Sequence, residues 1–283
     1  MSKIKASFIG IAGRGDTPEA MWAELETIAK MGYKATENAE SIVFRLGGPN
    51  WEDNLKHLLS IGLQPVDAQS FNGEDLRKRG PAPIIENAHK LGVDKAVMFH
   101  GAAYYRKGGK IVTYDEVMNE IEMLENAAKA MKAEGVKLCY HNHDHEFTTY
   151  FNGMTVYDML LAYAPDLYME LDVGWATYAG YYAPDLIRRL GDRIQLMHFK
   201  DFLPGGPVKH TVPMLDPELV KTYDMPNFCS LGSGALPVHE CLKACVDIGI
   251  DIVNVEQDFE HTLNGLEILQ VDYLVMKESG LVE

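Results

Sequence analysis

The strongest constraint on this chain is a unit that recurs: an amphipathic stretch, a single glycine, then a short apolar run ending in polar side chains. Ile28-Ala29-Lys30-Met31-Gly32 leads into Lys34-Ala35-Thr36-Glu37. Leu58-Leu59-Ser60-Ile61-Gly62 leads into Gln64-Pro65-Val66-Asp67-Ala68, and His89-Lys90-Leu91-Gly92 into Lys95-Ala96-Val97-Met98-Phe99-His100. The three glycines are 30 residues apart, the length of one strand-and-helix repeat. Glycine ends a helix at the left-handed position before the chain turns into a strand. The device returns at Gly135, Gly191 and Gly249. A chain that alternates helix and strand in this way builds a parallel sheet.

Eight runs read as strands: 4–10, 33–37, 63–68, 95–100, 136–142, 167–172, 194–199 and 252–257. Amphipathic stretches such as 18–31, 114–134, 155–164 and 236–248 lie between them, and a last helix over 264–279 closes the set. In 114–134, Val117, Ile121, Leu124, Ala128 and Met131 share one face, with acids early and lysines late as the helix dipole favours. Thr113 or Asp115 can cap its start. Eight repeats predict a (β/α)8 TIM barrel, a single α/β domain over 1–283, rather than an open sheet. At 47% hydrophobic and 24% charged, the 283 residues can fill such a core. An open sheet calls for a phosphate loop near the first strand. Gly10-Ile11-Ala12-Gly13-Arg14-Gly15 is glycine-rich but does not match that pattern, and reads as a flexible first loop. Two connections are long: 101–113, with Tyr104, Tyr105, Arg106 and Lys107, and 201–231, rich in Pro and Gly. Both follow strands, so both are expected on the active face, over a substrate.

Ligand-type side chains crowd the ends of the last four strands. The fifth runs Tyr140-His141-Asn142-His143-Asp144-His145-Glu146; the sixth ends in Asp172, with Trp175 just beyond. The seventh ends in His198 and Lys200, and the eighth in Glu256. Asp172 or Glu256 alone reads equally as a helix cap or an ion-pair partner. Four successive strands ending in this way on one face read as a mixed imidazole and carboxylate shell, suited to Mn²⁺, Co²⁺, Zn²⁺ or Fe²⁺. Side chains alternate along a strand, so His141 and His143 share a face. Parity favours His141 as the first ligand and His143 as a catalytic group, with Glu146 as the rival ligand or a catalytic carboxylate. Lys200 is a candidate to stabilise developing negative charge. His100, at the end of the fourth strand, is a candidate substrate contact or a hydrogen-bonded structural group. Trp175 is either packing or a platform on which a sugar ring stacks.

The series Tyr140-His-Asn-His-Asp-His-Glu-Phe147, Glu170-Leu-Asp-Val-Gly-Trp175, His198-Phe-Lys-Asp201, Leu231-Gly-Ser-Gly234 and Val255-Glu-Gln-Asp258 resembles the sugar phosphate isomerase/epimerase family. These are xylose-isomerase-like barrels that also include the endonuclease IV branch. The resemblance runs the length of the chain. It implies a divalent-metal (β/α)8 barrel with a Glu-Asp-His-Glu shell from strands five to eight, of which Asp172, His198 and Glu256 match three. His141 stands where the family usually has Glu, so either His141 ligates or Glu146 replaces it. Glu37, ending the second strand, matches a position that often contacts substrate.

The resemblance implies an isomerase or epimerase of a keto-sugar or cyclitol. A proton next to a carbonyl is removed, and the metal stabilises the enediolate. The alternative is a lyase or dehydratase, including β-elimination from a 3-keto-glycoside. A non-catalytic sugar-binding module is a further alternative, expected to bind without metal. The net charge of −15 opposes nucleic-acid binding and with it a DNA-repair endonuclease. The four cysteines form no CxxC pair and read as free thiols. With no long apolar run, a cytoplasmic protein without a membrane span is expected, and a homo-oligomer is compatible with the sequence.

Overall fold

The computed structural model describes residues 3–9, 17–37, 39–101, 112–213, 220–258 and 263–283. The glycine-rich segment 10–15, the Tyr104–Lys107 segment and His261 lie outside the described residues.

The eight expected strands form one closed parallel barrel. We label them β1 (Lys5–Ile9), β2 (Ala35–Thr36), β3 (in two parts, Gln64–Pro65 and Ser70–Asn72), β4 (Lys95–Phe99), β5 (Lys137–His141), β6 (Tyr168–Asp172), β7 (Ile194–Phe199) and β8 (Ile252–Glu256). The hydrogen-bonded order runs from the first part of β3 through β2, β1, β8, β7, β6, β5 and β4 to the second part of β3. Because both ends of that order belong to one strand, the sheet is a cylinder. Its seam is tied by Val66 N to Thr36 O at 3.1 Å, Ala68 N to Lys95 O at 2.7 Å and Val97 N to Gln69 O at 3.0 Å. The break at Val66–Gln69 shortens the expected strand 63–68; Pro65 has no N–H to extend the ladder.

The turn glycines behave as their position demands. Gly32, Gly62 and Gly92 have φ of +124°, +92° and +72°, which side chains with a Cβ rarely adopt. The helix expected over 114–134 forms over Tyr114–Ala133. Thr113 caps it in a reciprocal box with Glu116: Thr113 N donates to Oε2 at 2.8 Å, and Glu116 N donates to Thr113 Oγ1 at 3.3 Å. The last helix, Gly265–Glu278, docks beside the first strands, where Tyr33 Oη donates to Leu269 O at 2.9 Å. The connection 201–231 contains an element the sequence reading missed, an antiparallel hairpin of Val208–Pro213 with Val220–Met225.

Inside the cylinder, side chains are stacked by strand parity. Ala35, Val66, Val97, Cys139 and Leu196 form a buried apolar plug. Two residues further along the same strands come Glu37, Phe99, His141 and His198. A larger apolar cluster fills the space between the strands and the surrounding helices. All four cysteines are free thiols. Among the described residues, no helix is long and apolar enough to cross a membrane.

Candidate metal and substrate site

The polar ends of β5 to β8 meet at the C-terminal mouth of the barrel. His141, Asp172, His198 and Glu256 each offer a ligand atom, and these atoms all lie within 4.8 Å of one another. Their placement follows from register: β5 aligns His141 with Glu170, and β6 aligns Asp172 with His198.

Each carboxylate and imidazole is oriented by a second contact. Asp172 uses Oδ1 to cap the short helix Val173–Tyr178, accepting from Trp175 N at 2.8 Å. Its Oδ2 is buried with no hydrogen-bond partner, 3.8 Å from His141 Nε2 and 3.7 Å from Lys200 Nζ. A buried carboxylate oxygen left in that state fits a cation ligand. The helix-cap reading of Asp172 and its place in the cluster are thus compatible. Asn142 brackets Asp172, donating to its O and accepting from its N, both at 3.1 Å. His141 turns Nδ1 to Glu170 Oε2 at 2.9 Å, leaving Nε2 for the cluster. His198 turns Nε2 to Glu37 Oε2 at 2.6 Å, leaving Nδ1 beside Glu256 Oε2 at 2.9 Å. An imidazole whose far nitrogen is held by a carboxylate is the usual arrangement of a metal-binding histidine.

The electrostatics are those of a crowded buried site. Burial, reinforced by His198, drives the His141 pKa well below the usual histidine value, so its ring is neutral. Burial opposes a charge on His198, but Glu170 and Glu37 outweigh it and raise its pKa. Burial lifts Asp172 to about 7 against the pull of Lys200. Burial and then Glu37 lift Glu170 to about 8. Glu256 goes the other way: Lys200 and His198 overcome burial and hold it well below the carboxylate range.

A cavity of about 370 Å³ opens over the cluster, within the range of small-molecule sites. Ser70, Phe99, His100, His143 and Asp258 line it together with Glu37, His141, Glu170, His198 and Glu256. His100 holds a left-handed backbone at φ +58°, uncommon for a residue with a Cβ. Its ring is 5.2 Å from that of His143, which lies 5.1 Å from His141. Burial pushes the His143 pKa well below the usual value and His100 down to about 4, so both are neutral near pH 7.

Glu146 and Lys200 sit differently from expectation, and Trp175 takes the packing alternative. Glu146 is fully buried away from the cavity. It accepts from Tyr140 Oη at 2.8 Å and from His143 N at 2.7 Å, and so caps the helix Asp144–Thr148. Tyr140 faces outward by parity, which carries Glu146 behind the strand, away from the four-residue cluster. Trp175 is 5% exposed and packs with Phe202 and Phe228; it does not line the cavity and presents no open face for a sugar. Lys200 is buried, with Nζ 2.9 Å from Glu256 Oε2 and 2.8 Å from Asp258 Oδ2, and it sits over the rings of Trp175 and Phe228. It therefore anchors Glu256. Sequence reasoning passed over Glu170 and Asp258, although each lies two residues from a singled-out carboxylate.

The glycine motifs have local causes. A Cβ on Gly174 would meet Lys200 O at 2.2 Å, so only glycine lets the helix after β6 close on β7. In Leu231–Gly234 the backbone wraps a carboxylate: Gly232 N and Gly234 N each donate to Asp201 Oδ2 at 3.0 Å.

The sequence matches the xylose isomerase-like TIM barrel family over residues 25–270. No curated protein matches it at a significant level. Among solved structures, it is similar to a sugar phosphate isomerase/epimerase from Parabacteroides distasonis, with 19% identity, TM-score 0.73, and 99% of this chain and 100% of that chain covered. It is also similar to the probable 3-DHS dehydratase AsbF of Bacillus anthracis, with 14% identity, TM-score 0.72, and coverage of 97% and 99%. A third is the IOLI protein, whose structure binds a zinc atom, with 17% identity, TM-score 0.70, and 98% of each chain covered. At these identities the likeness speaks for the fold. With the family match spanning most of the sequence and the closed parallel barrel on which it falls, the chain belongs to the xylose isomerase-like TIM barrel family.

Proposed function

We propose that this protein is a divalent-metal-dependent isomerase or epimerase of a keto-sugar or cyclitol. The observation that carries the reading is the convergence of His141, Asp172, His198 and Glu256 on one point, with a buried unpartnered oxygen of Asp172 among them. Two imidazole nitrogens and two carboxylates suit Mn²⁺, Co²⁺, Zn²⁺ or Fe²⁺. Such an ion supplies Lewis-acid stabilisation of the charge that develops on a carbonyl oxygen when a neighbouring proton leaves. Glu170 and Glu37 fix the rings of His141 and His198 by their far nitrogens. Lys200 holds Glu256 in place through its ion pair at 2.9 Å.

The proton is handled by groups on the cavity wall. His143 is neutral and within the cavity, so it can accept a proton from a bound sugar. His100, at the end of β4, lies across the ring of strands from Glu256 at the end of β8. Imidazole and carboxylate thus approach a substrate from different sides, as inversion or transfer between neighbouring carbons requires. Free thiols throughout suit a reducing compartment, consistent with a cytoplasmic enzyme.

A lyase or dehydratase is the second reading. It is favoured by the wall facing Glu256, which carries His100 and His143 in place of a second carboxylate. One base to take the proton and a neutral imidazole N–H to hydrogen-bond the leaving group suffice to expel a β-substituent. Incubating ketoses and a 3-keto-glycoside in D₂O with Mn²⁺ separates the readings. An isomerase or epimerase incorporates deuterium next to the carbonyl and conserves mass, whereas a lyase releases a fragment. No exchange and no release, with and without chelator, would leave only a binding module.

A further inference from the structure

A second cavity, of about 470 Å³, opens beside the mouth and takes no part in the proposed reaction. Leu203, Asn227, Phe228 and Ser233 reach it from the connection after β7, Gln257 from just past β8, and Ile268 from the last helix. One lysine separates it from the mouth. The Phe228 ring lies 5.4 Å from Lys200 Nζ. That nitrogen contacts Glu256 at 2.9 Å and Asp258 at 2.8 Å, and both acids line the mouth cavity.

In many barrels the loops after strands seven and eight, with a helix N-terminus, bind phosphate. Here the parts suited to that task are already engaged. Gly232 N and Gly234 N each donate to Asp201 Oδ2 at 3.0 Å, and Leu236 N donates to Asp201 Oδ1 at 2.9 Å. Leu231 N donates to Asp272 Oδ1 at 2.8 Å. These amides serve two buried side chains of the protein, and both are acids. The start of the last helix carries its own carboxylate: Glu267 Oε2 accepts from Asn264 N at 2.9 Å, and Glu267 N donates to Asn264 Oδ1 at 3.0 Å. That carboxylate already answers the positive end of the helix dipole.

Among the described residues, no Lys, Arg, His, Asp or Glu lines this cavity. Cys229, on its wall, adds no charge, because burial and then Asp201 and Asp272 push its thiol up to about 12. The lining is apolar surface from Leu203, Phe228 and Ile268, with neutral amide and hydroxyl groups from Asn227, Ser233 and Gln257. Such a wall holds an uncharged ring and gives a buried anion no counter-charge.

We infer that this cavity is a second subsite, which takes an uncharged aryl or sugar ring attached to the keto-sugar at the mouth, and not a phosphate. The inference rests on the keto-sugar reading of the mouth and adds the size and charge of the substrate: a glycoside, not a sugar phosphate.

The test is calorimetric titration of the full chain, dialysed against Mn²⁺, with methyl β-glucoside, phenyl β-glucoside, cellobiose and glucose 6-phosphate. Phenyl glucoside or cellobiose is expected to bind about tenfold more tightly than methyl glucoside, from burial of one further ring. Glucose 6-phosphate is expected to bind no more tightly than methyl glucoside. A gain from phenyl glucoside alone identifies the ring as aryl, and a gain from cellobiose alone as a sugar. Equal affinity of the three glucosides, binding by none, or tightest binding by the phosphate overturns the inference. Ser233→Trp, which fills the cavity, is expected to remove the gain; should it fail to fold, Leu203→Glu at the 41% exposed rim position is expected to do the same. A gain that survives in the folded variant puts the ring elsewhere and overturns the inference. Elemental analysis separates the subsite from the mouth reading. A gain in a chain that holds no Mn²⁺ supports the subsite and defeats the metal site, whereas Mn²⁺ held without a gain does the reverse.

Discussion

The plug and the mouth of this barrel are built on the same strands, two residues apart. Ala35, Cys139 and Leu196 point into the cylinder and exclude water. Glu37, His141 and His198, one step further along β5 and β7 and just past the end of β2, point the same way and bring ionisable groups together. The two layers share parity and backbone, so the difference between them lies in side-chain chemistry alone. Period-two alternation lets one strand contribute to stability at one level and to a site at the next. The plug also gives the mouth its electrostatic character, because a dry floor is what displaces the pKa values above it.

The sharpest way to break the comparison is at the end of β5, where one histidine turns inward and one carboxylate turns out. On the proposed ligand set, His141→Ala lowers metal affinity by more than about 100-fold, since even outer partners of such ligands are worth 10–100-fold. Glu146→Ala keeps the metal and instead loses stability, by roughly 1–3 kcal/mol for its two buried hydrogen bonds. Calorimetric metal titration and thermal unfolding of both variants check this; the reverse pattern would hand the ligand role to Glu146.

A smaller effect separates the layers from the other side. Leu196→Ala, two residues below His198, is expected to cost about 2–5 kcal/mol of stability while metal content stays at the parent level. Denaturant unfolding beside elemental analysis measures both. Loss of metal with little loss of stability would mean that the plug serves the site rather than the fold.

The smallest effect concerns a buried carboxylate outside both layers. Burial lifts Asp272, whose Oδ1 accepts from Leu231 N at 2.8 Å, to about 7. The folded state therefore holds a proton that the unfolded chain has released between about pH 4 and pH 7. With more protons bound in the folded state, stability falls as pH rises through that window, by at most about 1.4 kcal/mol per pH unit from this group. Asp272→Asn keeps the acceptor oxygen and is expected to flatten that slope. An unchanged slope would show that Asp272 is ionised in the fold.

The barrel was legible because its signals are local and repeated: glycine after each helix, apolar runs of strand length, and polar ends. The break in β3 was less so, since Val66–Gln69 still reads as strand and only pairing with β2 and β4 reveals the offset. The hairpin 208–225 was hidden in a Pro- and Gly-rich connection. Parity anticipated that His141 faces inward and His143 lies beside it. It missed Glu170, whose inward direction follows from the same rule, because a glutamate two residues before Asp172 reads as an ordinary strand residue. Trp175 and Lys200 carry the chemistry of a sugar site but are drawn into packing and ion pairing by Phe228 and Asp258, partners that lie far along the chain.

The most direct measurement is an anomalous-difference map of crystals grown with Mn²⁺. The account predicts a peak within coordination distance of His141 Nε2, Asp172 Oδ2, His198 Nδ1 and the Glu256 carboxylate. Full Mn²⁺ exposure with no peak among those four groups, or a peak bound by Glu146 instead, would contradict it.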